Sequence, residues 1–145
     1  MATRSARTEW SGGLQDGSGT TTLVSSGLGS YDVSFPKRAA DNADGTTSPE
    51  ELLGAAHSAC YSMQLSGLIG RAGGTIKHLT VQADVDFGPD PAGGFHIPGI
   101  RLTVRGTVEG IDEAAFLEAA NDAKSSCPVS KALTGVPITL DAALA

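Results

Sequence analysis

Charge is scarce in this 145-residue chain. Asp, Glu, Lys and Arg make up 18% of it, against about 25% in an average soluble protein. With 40% hydrophobic residues, such a chain folds rather than stays disordered. Basic charge is scarcer still: ten Lys and Arg stand against sixteen Asp and Glu, for a net charge of −6. The ten are scattered, which excludes a nucleic-acid binder that needs a concentrated basic face. No apolar run is long and pure enough to anchor the chain in a membrane. The opening MATRSARTEW lacks the apolar stretch of a secretory signal, so a cytoplasmic location with reduced thiols is expected. Cysteine is nearly absent. Cys60 and Cys127 are the only two, too far apart for a CxxC redox pair or a four-ligand zinc framework. His78 and His96 match no metal-ligand spacing either. Number alone would make the two thiols small buried hydrophobes.

Glycine and proline are plentiful, at 19 and 7, and imply many turns. No repeat or linker interrupts the chain, so residues 1–145 read as one domain. Through Phe35 the pattern is one of short strands. Thr20–Val24 follow the QDGSG turn at 15–19, a hairpin signal. Tyr31, Val33 and Phe35 alternate with Asp32 and Ser34, as in a half-buried strand that Pro36 ends. Residues 37–47 read as a polar loop containing Arg38. Ser48, Pro49 and Glu51 then form a capping box with proline at the first helical position. The helix they open is expected to run to about Gly70. Between Glu51 and Arg71 no residue is formally charged. Leu52, Leu53, Ala56, Cys60, Met63 and Leu68 fall close to one stripe. A helix without a charged face is buried all round, and at roughly 30 Å it is too long for one small subunit to cover. A partner subunit is implied. Leu79 to Phe87 and Ile100 to Val108 alternate as two antiparallel strands with one wet face, separated by the turn GPDPAGG at 88–94. A second helix starts at Asp112, with Ile111 and Phe116 placed as a hydrophobic staple. Phe116, Ala120, Ala123 and Cys127 mark its buried face. Pro128 breaks it, a short turn Val129–Leu133 follows, and a last strand carries Val136, Ile138 and Leu140. The class is α+β, with antiparallel strands around one long and one medium helix.

The residues able to carry chemistry each admit two readings. Burial in an apolar helix would raise the Cys60 pKa and make it inert unless a cation stood nearby. Arg38 is either a solvated loop arginine or the guanidinium that stabilises a thiolate and binds an oxygen-rich substrate. Glu50 either favours the helix N-terminus electrostatically or orients Arg38. Glu50 and Cys60 are ten residues apart on one helix, about 15 Å along its axis, so they cannot touch one small substrate within a single straight helix. If Arg38 and Glu50 serve Cys60, a second subunit must contribute. His57 is a helical neighbour of Cys60, either a thiolate-activating base or a hydrogen-bonded core residue. Cys127 precedes Pro128 at a helix start, where backbone N–H groups favour an anion. Taken alone, that nominates Cys127 as the more reactive thiol.

SPEELLGAAHSACYSM at 48–63 and SSCPVSKAL at 125–133 closely resemble the OsmC/Ohr family of thiol-dependent hydroperoxide reductases. TEWSGGLQDGSGT at 8–20, SFPKR at 34–38 and the closing ITLDAAL are also similar. AAHSAC and CPVS resemble the OsmC branch more than the Ohr branch. The resemblance implies an OsmC-like fold, with antiparallel sheets around a long central helix, in an intertwined homodimer with active sites at the subunit interface. It implies that Cys60 is the peroxidatic thiol and Cys127 the resolving one, with Arg38 and Glu50 as the family's arginine and acidic residue. No metal, flavin or haem cofactor is expected. The expected substrate is an organic hydroperoxide, taken more readily than hydrogen peroxide and contacted by Arg38, Leu53, His57 and Met63. An external thiol, a lipoyl-type dithiol in the family, would reduce the disulfide. Two other classes stay open on the residues: an apolar-ligand-binding dimer with bystander thiols, and a Cys60–His57 acyl-transfer enzyme, which lacks a clear third orienting group.

Overall fold

The computed structural model describes residues 1–145. They gather into two compact units, 1–52 and 53–145.

In the first unit β1 (Arg7–Ser11), β2 (Ser18–Thr22) and β3 (Ser30–Val33) form an antiparallel meander in the order β1-β2-β3. Gly12, at φ +90°, supplies the left-handed residue of the β1–β2 turn, and Asp16 Oδ1 accepts from Gly13 N–H at 2.9 Å. The third strand ends two residues earlier than its alternation predicts. Ser34 turns out to be a helix cap: its hydroxyl accepts from Lys37 N–H, and α1 (Phe35–Arg38) follows with Pro36 in its first turn. The segment expected to be loop from 37 onward therefore begins inside a helical turn. Tyr31 is not half-buried as expected but 40% exposed, and Trp10, Leu14, Val24 and Leu28 are more exposed still.

The long helix α2 (Pro49–Arg71) is continuous over 23 residues. Ser48 Oγ accepts from Glu51 N–H at 3.2 Å. The reciprocal half of the expected capping box is replaced, because the Glu51 carboxylate accepts from Thr47 Oγ1 instead. At the other end Gly73 takes φ +88°. Gly74 N–H bonds Ile69 C=O and Gly73 N–H bonds Gly70 C=O, which is the Schellman pattern.

In the second unit β4 (Thr75–Val85) and β7 (Ile100–Glu109) pair antiparallel as predicted. The turn between them carries a two-residue ladder of β5 (Gly88–Pro89) and β6 (Phe95–His96). Then come α3 (Glu113–Ser126), α4 (Pro128–Ala132) and β8 (Ile138–Leu144). The sheet order is β4-β7-β8. One expectation changes here, because β8 joins β7 parallel. The helical crossover α3–α4 returns the chain to the starting end of β7, as a parallel neighbour requires. The class remains α+β.

The core of this unit is Leu102 and Val104 from β7, Phe116, Ala119, Ala120 and Ala123 from α3, and Tyr61, Leu65 and Ile69 from α2. Ile111 also packs against this cluster, as the staple predicts, and Asp112 caps α3 by accepting from Ala115 N–H. The buried stripe of α2 differs from the predicted one. It runs Gly54, His57, Tyr61, Leu65, Ile69, whereas Met63 is 75% exposed. The opposite side, with Ala55, Ala59, Met63, Ser66, Gly67 and Gly70, is exposed and carries no charge. Within a single chain α2 is therefore covered on one side only.

Gly54 is where α2 meets the sheet. A Cβ there would lie 2.9 Å from the backbone oxygen of Ala83 on β4, an atom that cannot swing aside. Gly54→Ala gains about 1 kcal/mol of helix propensity but incurs an overpacking cost of roughly 1–3 kcal/mol. A net loss of stability in urea denaturation is the expected outcome. An alanine variant more stable than the parent would show that this approach is looser than described.

Candidate active site

Three buried or half-buried polar side chains of α2 reach across to α3 and α4. His57 Nε2 and Ser130 Oγ are 2.8 Å apart, Tyr61 Oη donates to Ala120 C=O at 2.8 Å, and Gln64 Nε2 donates to Ser126 Oγ at 2.8 Å. Positions 57, 61 and 64 share one helical face. Cys60 lies between His57 and Met63 around the helix, at the border of the buried stripe and the exposed uncharged side. It is half-buried, whereas Cys127 is fully buried, and both thiols are free.

The two thiols are close enough for each to act on the titration of the other. Cys127 sits where α3 ends and α4 begins. Burial pushes the Cys60 thiol up, the Val129 N–H works against it, and the Cys127 thiol beside it adds to the rise. Burial pushes Cys127 the same way, but there the opposing donors win. The Ser130 N–H, the Cys60 thiol, the Ser130 hydroxyl and the Val129 N–H together bring it below the ordinary thiol value. Inside this unit, then, the surroundings favour ionisation of Cys127 over Cys60, at the position the helix-start argument nominated. No guanidinium or ammonium is among the groups acting on Cys60.

The cation expected for the site stands in the first unit. Arg38 Nε donates to both oxygens of Glu50 at 3.1 Å and Nη2 donates to Oε1 at 2.6 Å. This is the planar two-point pairing that lysine cannot reproduce. The Glu50 side chain is 8% exposed and that of Arg38 31%. Glu50 therefore orients Arg38 as well as standing at the start of α2. A hollow of about 150 Å³ beside the pair is lined mainly by Trp10, Leu14, Val33, Phe35, Arg38 and Pro49. A larger polar hollow of about 480 Å³, which includes Glu9, Asp32 and Lys37, contains none of the candidate residues. Leu53 is half-buried and Met63 lies on the exposed side of α2. Nowhere do three or more His, Cys, Asp or Glu side chains converge as a metal-binding group. No helix is long and apolar enough to cross a membrane. Ser130 and Tyr61 went unremarked in the sequence. The signal for Ser130 was its place in CPVS, one helical turn beyond Cys127.

The family model described as OsmC-like protein matches residues 41–141. The chain belongs to the OsmC family. It is 38% identical over 138 residues to the peroxiredoxin OsmC of Escherichia coli, a match covering 95% of this chain and 94% of that protein. The fold is shared with an organic hydroperoxide resistance protein from Elizabethkingia anophelis, at a TM-score of 0.80 and 25% identity over 100% of this chain and 98% of the other. It is shared too with the organic hydroperoxide resistance protein OhrB of Bacillus subtilis, at a TM-score of 0.73 and 29% identity over 95% and 97%. On these relationships the protein is a thiol-dependent peroxidase with an OsmC-type fold.

His57 is fully buried, and burial holds its pKa below the ordinary value. The unfolded chain thus binds a proton that the folded one refuses, and stability rises with pH across that window. As pH falls below about 6.5, the unfolded histidine value, urea midpoints are expected to drop. The slope for one proton is at most about 1.4 kcal/mol per pH unit. His57→Gln removes this part of the slope; an unchanged profile would mean that His57 is charged or solvated in the fold.

Proposed function

We propose that this protein reduces organic hydroperoxides to alcohols through a Cys60 sulfenic acid and a Cys60–Cys127 disulfide. The observation that carries this reading is the pairing of unlike thiols. Cys60 borders an exposed surface and can meet a substrate, while Cys127 is buried directly behind it. Cys60 attacks the distal oxygen of the peroxide, the O–O bond breaks, and the alkoxide leaves with a proton. The sulfenic acid then condenses with Cys127, forming the S–S bond and releasing water. An external dithiol, of the lipoyl type in the family, returns both cysteines to thiols. The names of the relatives, peroxiredoxin OsmC and organic hydroperoxide resistance protein, support the same substrate class.

Cys60 still needs a cation, because burial raises its pKa. Arg38, oriented by Glu50, is the group we assign to stabilise the Cys60 thiolate and the charge growing on the leaving oxygen. Ten residues of α2 separate Glu50 from Cys60, so the assignment places the Arg38–Glu50 pair of one chain beside the thiols of a second. The uncharged open side of α2, rich in Ala, Ser and Gly, is the surface we assign to that homodimer. The hollow at Arg38, walled by Trp10, Leu14, Phe35 and Pro49, suits the organic portion of a hydroperoxide better than hydrogen peroxide. Leu53 and Met63 are the apolar contacts proposed on the Cys60 side. In this reading residues 1–145 act as one OsmC-like domain, in a reducing cytoplasmic setting.

Intact-mass analysis after one equivalent of cumene hydroperoxide tests the chemistry. The parent is expected to lose both thiols to a disulfide, Cys60→Ser to consume no peroxide, and Cys127→Ser to hold a sulfenic acid that dimedone traps. An apolar-ligand carrier would lose no thiols, and full activity in Cys60→Ser would overturn the assigned roles. Arg38→Lys is expected to slow the first step by about a hundredfold or more, read as the rate of sulfenic acid formation in the Cys127→Ser background.

A further inference from the structure

We infer that His57 and Ser130 form a positioning pair that holds Cys127 ready for attack on the Cys60 sulfenic acid: His57 fixes the Ser130 hydroxyl, and the hydroxyl donates to the Cys127 sulfur. His57 Nδ1 is buried and has no hydrogen-bond partner, while Nε2 is 2.8 Å from Ser130 Oγ. A neutral imidazole carries its proton on one nitrogen only. With the proton on Nδ1, a buried N–H would be orphaned, and the Ser130 hydroxyl would be drawn toward Nε2, away from the sulfur. With the proton on Nε2, only a lone pair goes unmet. His57 then donates to Ser130 Oγ, which leaves the hydroxyl's own hydrogen free to turn toward Cys127, three residues back at the cap of α4. Histidine is thus the residue that makes the serine a donor in one direction.

The other groups around Cys127 fit this role. Ser130 and Val129, in the first turn of α4, also act on the sulfur, and the titratable side chains acting with it are Cys60 and Tyr61, both from α2. Tyr61 stays a neutral phenol, because burial and the nearby Cys127 push its pKa up, and its hydroxyl is spent on Ala120. Neither neighbour supplies a positive charge, so neutral donors must hold the thiolate. In the resolving step the Cys127 sulfur forms the S–S bond, the S–O bond of the Cys60 sulfenic acid breaks, and the oxygen departs as water with the proton that Cys127 gave up.

This inference rests on Cys127 as the resolving thiol, and its test separates the two ideas. In the Cys60→Ser background Cys127 is the only thiol, and its ionisation is followed by ultraviolet thiolate absorbance against pH. Ser130→Ala is expected to raise that titration by about one pH unit, a tenfold loss of thiolate at a pH below both values. Ser130→Thr keeps the hydroxyl and is expected to restore the parent curve. His57→Leu is expected to shift the titration upward, while His57→Gln, with an amide donor near the Nε2 position, shifts it less. Identical curves for Ser130→Ala and its parent would overturn the pair. So would a Ser130→Thr curve that follows alanine, or a His57→Leu curve that follows the parent. If the serine and histidine series behave as expected but hydroperoxide leaves no Cys60–Cys127 disulfide in the unsubstituted protein, the pair stands and the peroxidase reading falls.

Discussion

The site depends on how α2 is fastened to α3 and α4. Three side-chain hydrogen bonds, from His57, Tyr61 and Gln64, cross between these helices. His57 and Tyr61 are fully buried, where an unpaired polar group is costly. Apolar packing alone would tolerate a slide of one helix along the other. Polar groups that must each find a partner do not, because a shift of one turn would break all three bonds at once. Cys60 lies on α2 among these anchors and Cys127 lies between the segments they grip. The meeting of two sulfurs so distant in the chain thus follows from the hydrogen bonding of groups that carry no redox chemistry themselves.

Much of this was legible in the sequence and some was not, for identifiable reasons. The start of α2 was legible because Ser48 and Pro49 are local signals, and β4 and β7 because their alternation has contrast between Val or Leu and charged partners. The buried face of α2 was not legible. A helix whose polar residues are His, Ser and Gln among Ala and Gly has little contrast from side to side, so its period shows but its phase does not. The true stripe includes His57 and Tyr61, whose polar atoms are satisfied inside. The direction of β8 was also hidden, because alternation says which face a strand buries and nothing about the sense in which it pairs. Ser34 and Pro36 did carry a helix-cap signal, masked by the run of alternating aromatics and valine before them. The two cysteines, Arg38 and Glu50 were identified as a set through resemblance. The residues alone left the reactive thiol open and gave no sign of Ser130.

The structure sharpens that open question. Exposure and acidity fall on different sulfurs: Cys60 is the less buried one, and Cys127 is the one whose surroundings favour charge. In a peroxidase these properties must be brought together for the first step and separated for the second. The first step needs a charged and accessible sulfur, which Cys60 becomes only when a cation outweighs its burial. The second needs a nucleophile that waits without reacting, the part the proposed mechanism gives to the buried Cys127. Once a pair of interacting thiols has lost one proton, the two sulfurs share the other, so a guanidinium brought near Cys60 would shift that proton toward Cys127. Its removal shifts the proton back.

Such an exchange explains why the stabilising groups need not all belong to one sulfur. Val129 and Ser130, which act on Cys127, belong to α4 itself. Arg38 is held by Glu50, so in the proposed reading its charge is poised before any substrate or thiolate arrives. A cation oriented by its own carboxylate costs little reorganisation when charge develops nearby. In the proposed mechanism a Cys60 oxidised to a sulfenic acid would no longer compete for the charge, and the groups around Cys127 would favour the thiolate there. In that proposal the order of the two steps follows from which sulfur can ionise at each stage.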